Sequence, residues 1–513
     1  MRSFSLKSLG VLTFAITAMQ VGCSAESDQN APGTAGNQNT GTAGKTSSAG
    51  SSSTVAGSGN ATAGALNTAG QGAGGAGTAG AGTGGSGPVG TAGKGGSTGT
   101  AGSGTTAGSG NAAGAAGAPN PTTGTWGTAE DPSAGCPVTG TLPEYAALMA
   151  DGKLPDPFKK LDGTRIKDKS EWLCRRAEIV KQLAKYIYGE KPIPAKGSVT
   201  GTVSTTSISV KVTEGSKTAS FSVTVDMNGA TAPAPAIITY GAGAPIPKGV
   251  AKISLTAIES TGGSGNKNGP FYTFYGATHP AGYMVAQAWQ VSRIIDLLEQ
   301  TPGTIDATHI GVTGCSRNGK GAFAGGVFDN RVALTIPCES GIGGTVGLRL
   351  KEQLDPGAND TAEWPYHAIS YVRWLSEVAL GPFATANNAA GDNTDKLPVD
   401  MHEAMALIAP RGLYIVDNPS ISNLDPKSAY VTAMAGKAIY KALGVPDNFA
   451  YQGAGGSHCQ WRTQYQASLD AMIDKFLKGK TDTKTGNFAT DLSSKPSETT
   501  YYTWDTTELP GKL

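Results

Sequence analysis

The chain beyond about residue 130 predicts an α/β fold: a mostly parallel sheet covered by helices on both faces. Three observations carry that reading. The runs PAIITYG (235–241) and KISLTAI (252–258) are nearly continuous in apolar residues, as in strands buried on both sides. Further strand-like runs, VALTIP, GLYIVDN and FAYQGA, alternate with helical stretches near 281–300, 430–443 and 463–478, which is the pattern of parallel strands joined by helical crossovers. Residues 309–340, HIGVTGCSRNGKGAFAGGVFDNRVALTIPCES, lay out a strand, a sharp turn with a serine at its tip, a small-residue helix and a second strand.

The N-terminus is different in kind. Residues 1–22 carry Arg2 and Lys7, then LGVLTFAITAM, then small residues, and read as an export signal too short for a membrane span. Cys23 closes a V-G-C sequence and is a candidate bacterial-type lipidation cysteine, although Gln20 stands where a leucine-like residue is usual. The expected location is therefore secreted or cell-surface, with membrane attachment only through a lipid on Cys23. Residues 23–130 are rich in Gly, Ala, Thr and Ser, with GTAG recurring at 33, 41, 77, 90 and 99. Such a composition cannot bury enough apolar surface to offset the entropy of ordering the backbone. It is expected to be a disordered tether reaching about 55 Å on average. Residues 131–513 remain as one domain, long enough for a large core.

Within that domain, Cys136 to about residue 195 reads as helical, through EYAALMADG and EWLCRRAEIVKQLAKYIYG. VTGTVSTTSISVKV and TASFSVTVDM alternate in polarity and predict an antiparallel hairpin. A net charge of +1 without a basic cluster argues against a nucleic-acid partner. No metal-ligand spacing occurs, so neither a metal nor a cofactor is expected. Of six cysteines, five remain if Cys23 is lipidated or removed, so one is odd.

The turn at Gly314-Cys315-Ser316 is the candidate nucleophile elbow, a turn that lifts a serine hydroxyl off the sheet edge toward a helix N-terminus. The G-x-S-x-G pattern is half met, since Asn318 occupies the second glycine's place and Gly319 follows. A serine needs a base, and an imidazole needs a carboxylate to orient it. Of the five histidines, His458 follows the glycine-rich AGGS after a strand, where packing gives little reason for it; His279, His309, His367 and His402 read as structural. Two carboxylates compete for the third role, Glu339 after the strand VALTIP and Asp417 at the end of GLYIVD, the usual hydrolase position. These features point to an α/β-hydrolase.

The block G-C-S-R-N-G-K-G, followed by the glutamate of ESG, resembles the glucuronoyl esterases, carbohydrate esterase family fifteen. LPDPF (154–158), CRRAEI (174–179), AWQVSRIIDLLE (288–299), ALIAPRGLYIVDN (406–418), ALGV (442–445) and SHC (457–459) match that family in the same order. The resemblance implies a triad of Ser316, His458 and Glu339, with Asp417 the alternative acid. It further implies that Arg317 stabilises the oxyanion, that Lys320 binds hydroxyls of a uronic sugar, and that Cys136–Cys174 and Cys315–Cys459 are bridged, leaving Cys338 free. Asn423, in S-N-L-D-P, stands where fungal members place a sugar-stacking tryptophan; Glu363 and Trp364 are candidate replacements as substrate-binding residues. The implied activity is hydrolysis of 4-O-methyl-glucuronoyl esters joining glucuronoxylan to lignin alcohols, by a monomer. Two alternatives stand beside it: another carbohydrate esterase, such as a deacetylase, and a surface carbohydrate-binding protein with a vestigial triad.

Overall fold

The computed structural model describes residues 129–513 apart from 134, 139, 256–266, 351–353, 355–362, 371 and 385–392. The signal, lipidation and tether expectations for residues 1–128 lie outside the described residues. Ten strands form one sheet: β1 (Val199–Val203), β2 (Ser207–Glu214), β3 (Lys217–Asp226), β4 (Ala234–Tyr240), β5 (Ala251–Leu255), β6 (Ile305–Cys315), β7 (Val332–Cys338), β8 (Gly412–Asp417), β9 (Phe449–Gly453) and β10 (Phe488–Thr490). Their order is β1-β2-β3-β5-β4-β6-β7-β8-β9-β10. The pairs β1/β2, β2/β3 and β3/β5 are antiparallel, and every pair from β5/β4 to β9/β10 is parallel.

The expected hairpin is thus a three-strand meander. β2 and β3 alternate buried and exposed residues along their length, because only one face of this edge meets the core. β4, β7 and β8 are buried almost throughout. Alternate β4 and β8 residues enter different cores: Ile238, Tyr240, Leu413 and Ile415 join the larger cluster, while Ile237, Tyr414 and Val416 join a second one. Helices α2 (Pro270–Tyr275), α3 (Tyr283–Gln300) and α4 (Arg317–Phe328) contribute to the first, and the helix Thr463–Phe476 to the second. Both faces of the central sheet are therefore covered.

The stretch EYAALMADG departs from expectation, forming only a 3-10 turn at Tyr145–Ala147 with no buried residue. So short a segment, with only Tyr145 and Leu148 half-buried against the core, cannot offset the cost of nucleating a longer helix. Helix α1 (Trp172–Leu183) does form, because Trp172, Ile179 and Leu183 are buried together with Arg175 and Arg176. The strands most relevant to chemistry end level with one another: Tyr240 pairs with Gly314, Cys315 with Cys338, and Asp417 with Gly453. Their carboxyl ends form the rim where active residues of open α/β sheets gather.

Candidate active site

Ser316 sits between β6 and α4 with φ 59° and ψ −129°, a strained conformation for a residue with a side chain. Its backbone N–H donates to the Cys338 carbonyl at 2.9 Å, which anchors the turn to β7. Although Ser316 is the N-cap of α4, its side chain makes no capping hydrogen bond. The hydroxyl is thus not used in holding the helix, and the first turn of α4 offers backbone N–H groups beside it. The half-met glycine pattern has a steric explanation. A Cβ at Gly314 would lie 2.3 Å from the Asn318 carbonyl oxygen, and one at Gly319 would lie 2.5 Å from that of Cys338. The second glycine is needed one residue later than the usual pattern places it.

Glu339 follows β7 at φ 46° and is 2% exposed. Its Oε2 accepts from His458 Nδ1 at 2.7 Å and from the Cys459 N–H at 2.9 Å. Burial alone would raise this carboxyl, but the bonds from His458 and the Cys459 N–H outweigh it and hold the group below its usual value. The His458 side chain is 42% exposed, so one face of the ring is open to a substrate. A disulfide joins Cys315 to Cys459 with Cα atoms 5.7 Å apart, tying the residue before Ser316 to the residue after His458. The structure therefore brings the serine, histidine and glutamate to one end of the sheet.

Asp417 does not share that arrangement. It accepts from the Asn418 N–H at 2.8 Å and from the Tyr451 hydroxyl at 3.1 Å, and among the described residues no hydrogen bond joins it to His458. Burial pushes its carboxyl up to about 6, against the pull of those two donors and with a further rise from the Glu339 charge. A group at that value is a poor permanent anion for an imidazole.

Lys320, one turn into α4, is fully buried. Its Nζ donates to the Ser340 carbonyl at 2.5 Å and to Glu363 Oε2 at 2.6 Å, and lies 4.3 Å from the centre of the Trp374 ring. Burial lowers its pKa, partly offset by Glu363. Glu363 also accepts from the Ile342 N–H at 3.0 Å, so it holds the ammonium and the loop after Glu339 together. Trp364 is only 3% exposed and presents no broad ring face for sugar stacking. The half-buried Trp374 is the aromatic beside Lys320, and its place in the segment VRWLSE gave no signal in sequence. Arg317 is exposed at the start of α4. Asn423 is exposed, and its carbonyl accepts from the Glu363 N–H at 2.9 Å.

Three further histidines make structural contacts: His309 pairs with Asp306 at 2.6 Å, His279 Nδ1 accepts from the Ala281 N–H, and His402 Nε2 meets the Pro155 carbonyl. Cys136 and Cys174 are bridged, and Cys338 is free and buried, its thiol pushed up to about 12 by that burial. Arg462 was not legible as a site residue, yet it lies beside Glu339 and the His458 loop.

A serine raised on a strained turn, with an imidazole loop covalently tied back to it, places this chain among the α/β-hydrolases. Residues 210–444 match the family model described as glucuronyl esterase, fungi. The 4-O-methyl-glucuronoyl methylesterase of Hypocrea jecorina is 38% identical over 389 residues, 73% of this chain and 80% of that protein. A serine-to-alanine variant of the Sporotrichum thermophile glucuronoyl esterase, solved in complex with methyl 4-O-methyl-β-D-glucopyranuronate, superposes with a TM-score of 0.65 at 36% identity, covering 71% of this chain and 96% of that one. The glucuronoyl esterase of Caldicellulosiruptor kristjansonii gives 0.58 at 29% identity, covering 71% and 98%. The chain belongs to the glucuronoyl esterases, carbohydrate esterase family fifteen, and is a carboxylic ester hydrolase.

Proposed function

We propose that Ser316, His458 and Glu339 carry out the 4-O-methyl-glucuronoyl methylesterase reaction of this chain. Ser316 attacks the uronoyl carbonyl carbon while His458 takes the hydroxyl proton; Glu339 fixes the imidazole and stabilises its charged form. The oxyanion is met by N–H groups at the start of α4 and by the Arg317 side chain. His458 passes the proton to the departing alcohol, leaving an acyl-enzyme. It then removes a proton from water, and the resulting attack releases the free uronic acid and Ser316. Lys320, held by Glu363 and Trp374, donates to ring hydroxyls of the uronate. The observation that carries this reading is the 2.7 Å His458–Glu339 bond in a loop bridged to the elbow.

The natural esters are those joining glucuronoxylan to lignin alcohols. Residues 1–22 direct export, 23–130 form the tether, and 131–513 are the esterase domain. Its two disulfides fit an oxidising, extracellular setting, and among the described residues no helix is long and apolar enough to cross a membrane.

A benzyl glucuronate ester and an acetylated xylan, assayed side by side, test the substrate class. Turnover of the first and not the second is expected, and Ser316→Ala should remove about 10⁴-fold or more of it. Preference for the acetylated xylan would instead support a deacetylase. Lys320→Ala should cost roughly 10- to 150-fold on the glucuronate ester, the worth of a charge-assisted hydrogen bond, and far less on a simple acetate ester. Equal losses on both would remove Lys320 from uronate recognition.

A further inference from the structure

The loop that carries His458 is built around a guanidinium. Arg462 Nε donates to the Gly455 carbonyl at 2.7 Å, one terminal nitrogen donates to Gln460 O at 2.6 Å, and the other donates to Ser457 O at 2.9 Å. Three carbonyls from six consecutive residues, on both sides of His458, thus converge on one planar cation. The same side chain reaches the Glu339 oxygen that His458 does not use, at 3.4 Å. It is only 10% exposed, whereas the His458 side chain is 42% exposed. Gly456 makes room for it: at φ +147°, a Cβ there would lie 2.6 Å from the guanidinium. Asn418 adds a weaker support, donating to Gly456 O at 3.0 Å.

We infer that Arg462 is a positioning residue for the esterase reaction, fixing the His458 loop and the second oxygen of Glu339 as one unit. A planar fork with several donors suits convergent carbonyls, and a lysine's compact ammonium does not replace it. Without the fork, the carbonyls of Gly455, Ser457 and Gln460 lose their common donor and the loop relaxes. The disulfide at Cys459 would still hold one end near the elbow, so the expected fault is a misplaced imidazole rather than a lost one. Misplacement on the ångström scale costs on the order of 10²-fold in rate. Substrate binding should be little affected, since the nearly buried Arg462 spends its donors on Gly455, Ser457, Gln460 and Glu339.

The inference rests on the Ser316–His458–Glu339 reading, and the test separates the two. Arg462→Ala is assayed on the benzyl glucuronate ester for kcat and KM, with Tm recorded, and repeated with added methylguanidinium. A fall of about 100-fold in kcat with KM held within about twofold is expected, and methylguanidinium should recover part of it. Rescue is the readout that a general packing role would not give. Parental kcat in folded Arg462→Ala, or a loss that methylguanidinium leaves unchanged, would overturn the proposal. If Arg462→Ala does not fold, Arg462→Lys decides: reduced kcat at parental Tm supports the fork, and parental kcat rejects it. Ser316→Ala in the same series reports on the triad itself. An active Ser316→Ala overturns both readings, whereas an inactive one beside a parental Arg462→Ala overturns only this one.

Discussion

The two ends of the central sheet use charge in opposite ways. Below the amino ends of β7 and β8, anions and cations saturate one another. Arg331 binds Asp329 at 2.7 Å, Asp296 at 2.7 Å and Glu299 at 2.9 Å, and Glu130 lies against both Lys191 and Arg293. Arg411, 1% exposed, donates to the carbonyls of Gly326, Leu407, Asp329 and Val332. At the carboxyl ends a guanidinium again gathers carbonyls, but the principal partner of the buried Glu339 is an imidazole with an open face. Arginine and lysine remain charged through a catalytic cycle, whereas histidine gains and loses a proton near neutrality. The lower network is built to stay as it is. The upper one is rigid around a single group that is free to change its charge.

The comparison is broken most directly by uncharging Glu339. Glu339→Gln keeps the shape but removes the anion that orients His458 and supports its protonated form. A loss of about 10³–10⁴-fold in kcat is expected, in a protein that still folds but is somewhat less stable for the lost anion. Asp417→Asn, on the next strand and without a bond to His458, should stay within about tenfold. Steady-state kinetics of the two variants decide between them. A greater loss in Asp417→Asn would return the acid to the usual hydrolase position.

The lower end should respond in stability and not in rate. Glu130→Ala leaves Lys191 buried with Ser292 Oγ, 3.0 Å away, as its hydrogen-bond partner, and strips Arg293 of one of its two carboxylates. Breaking a buried pair by removing one partner costs about 3–5 kcal/mol. Urea melts should show that loss, while kcat measured well below the transition remains parental. A matching fall in kcat would mean that the two ends are coupled through the strands.

What the sequence made legible follows chain distance. The elbow and the His458 loop are local, each written within a few residues of glycine, cysteine and a reactive side chain. β4, β7, β8 and β9 were readable because burial on both faces leaves nearly unbroken apolar runs, whereas β5, expected to be buried on both sides, alternates buried and partly exposed residues. Contacts between distant segments left no such trace: Glu130 meets Arg293 across 163 positions, and Lys320 meets Glu363 across 43. Nothing in the residues around Arg462 reveals that three carbonyls turn toward it. The choice between Glu339 and Asp417 was likewise open on residue pattern alone. Both stand one residue beyond a paired strand position, Cys338 and Val416, and only the reach of the His458 loop separates them.

That neighbouring pair also gives the finest test, because the two carboxyls are shifted in opposite directions. Glu339 is held below its ordinary value of 4.5, so its contribution to stability is present above that pH and is lost as pH falls through its folded-state value. Asp417 has the reverse sign. Its folded-state value of about 6 lies above the ordinary 3.8, chiefly through burial, so the folded protein favours the protonated form. That contribution is complete below 3.8 and disappears as pH rises through about 6, after which a buried anion must be kept. Asp417→Asn replaces the anion with a neutral group of the same shape, whose single amide oxygen still accepts from the Asn418 N–H while its NH2 donates to the Tyr451 hydroxyl, which turns to accept. The variant should therefore be more stable than the parent by about 1–3 kcal/mol near pH 8, with the advantage fading toward zero near pH 4. Thermal melts of both proteins across that range supply the check. An advantage independent of pH would mean that Asp417 is already neutral throughout or that the gain lies in packing. A variant less stable than the parent at pH 8 would show that the bonds from Asn418 and Tyr451 hold the anion more firmly than burial opposes it.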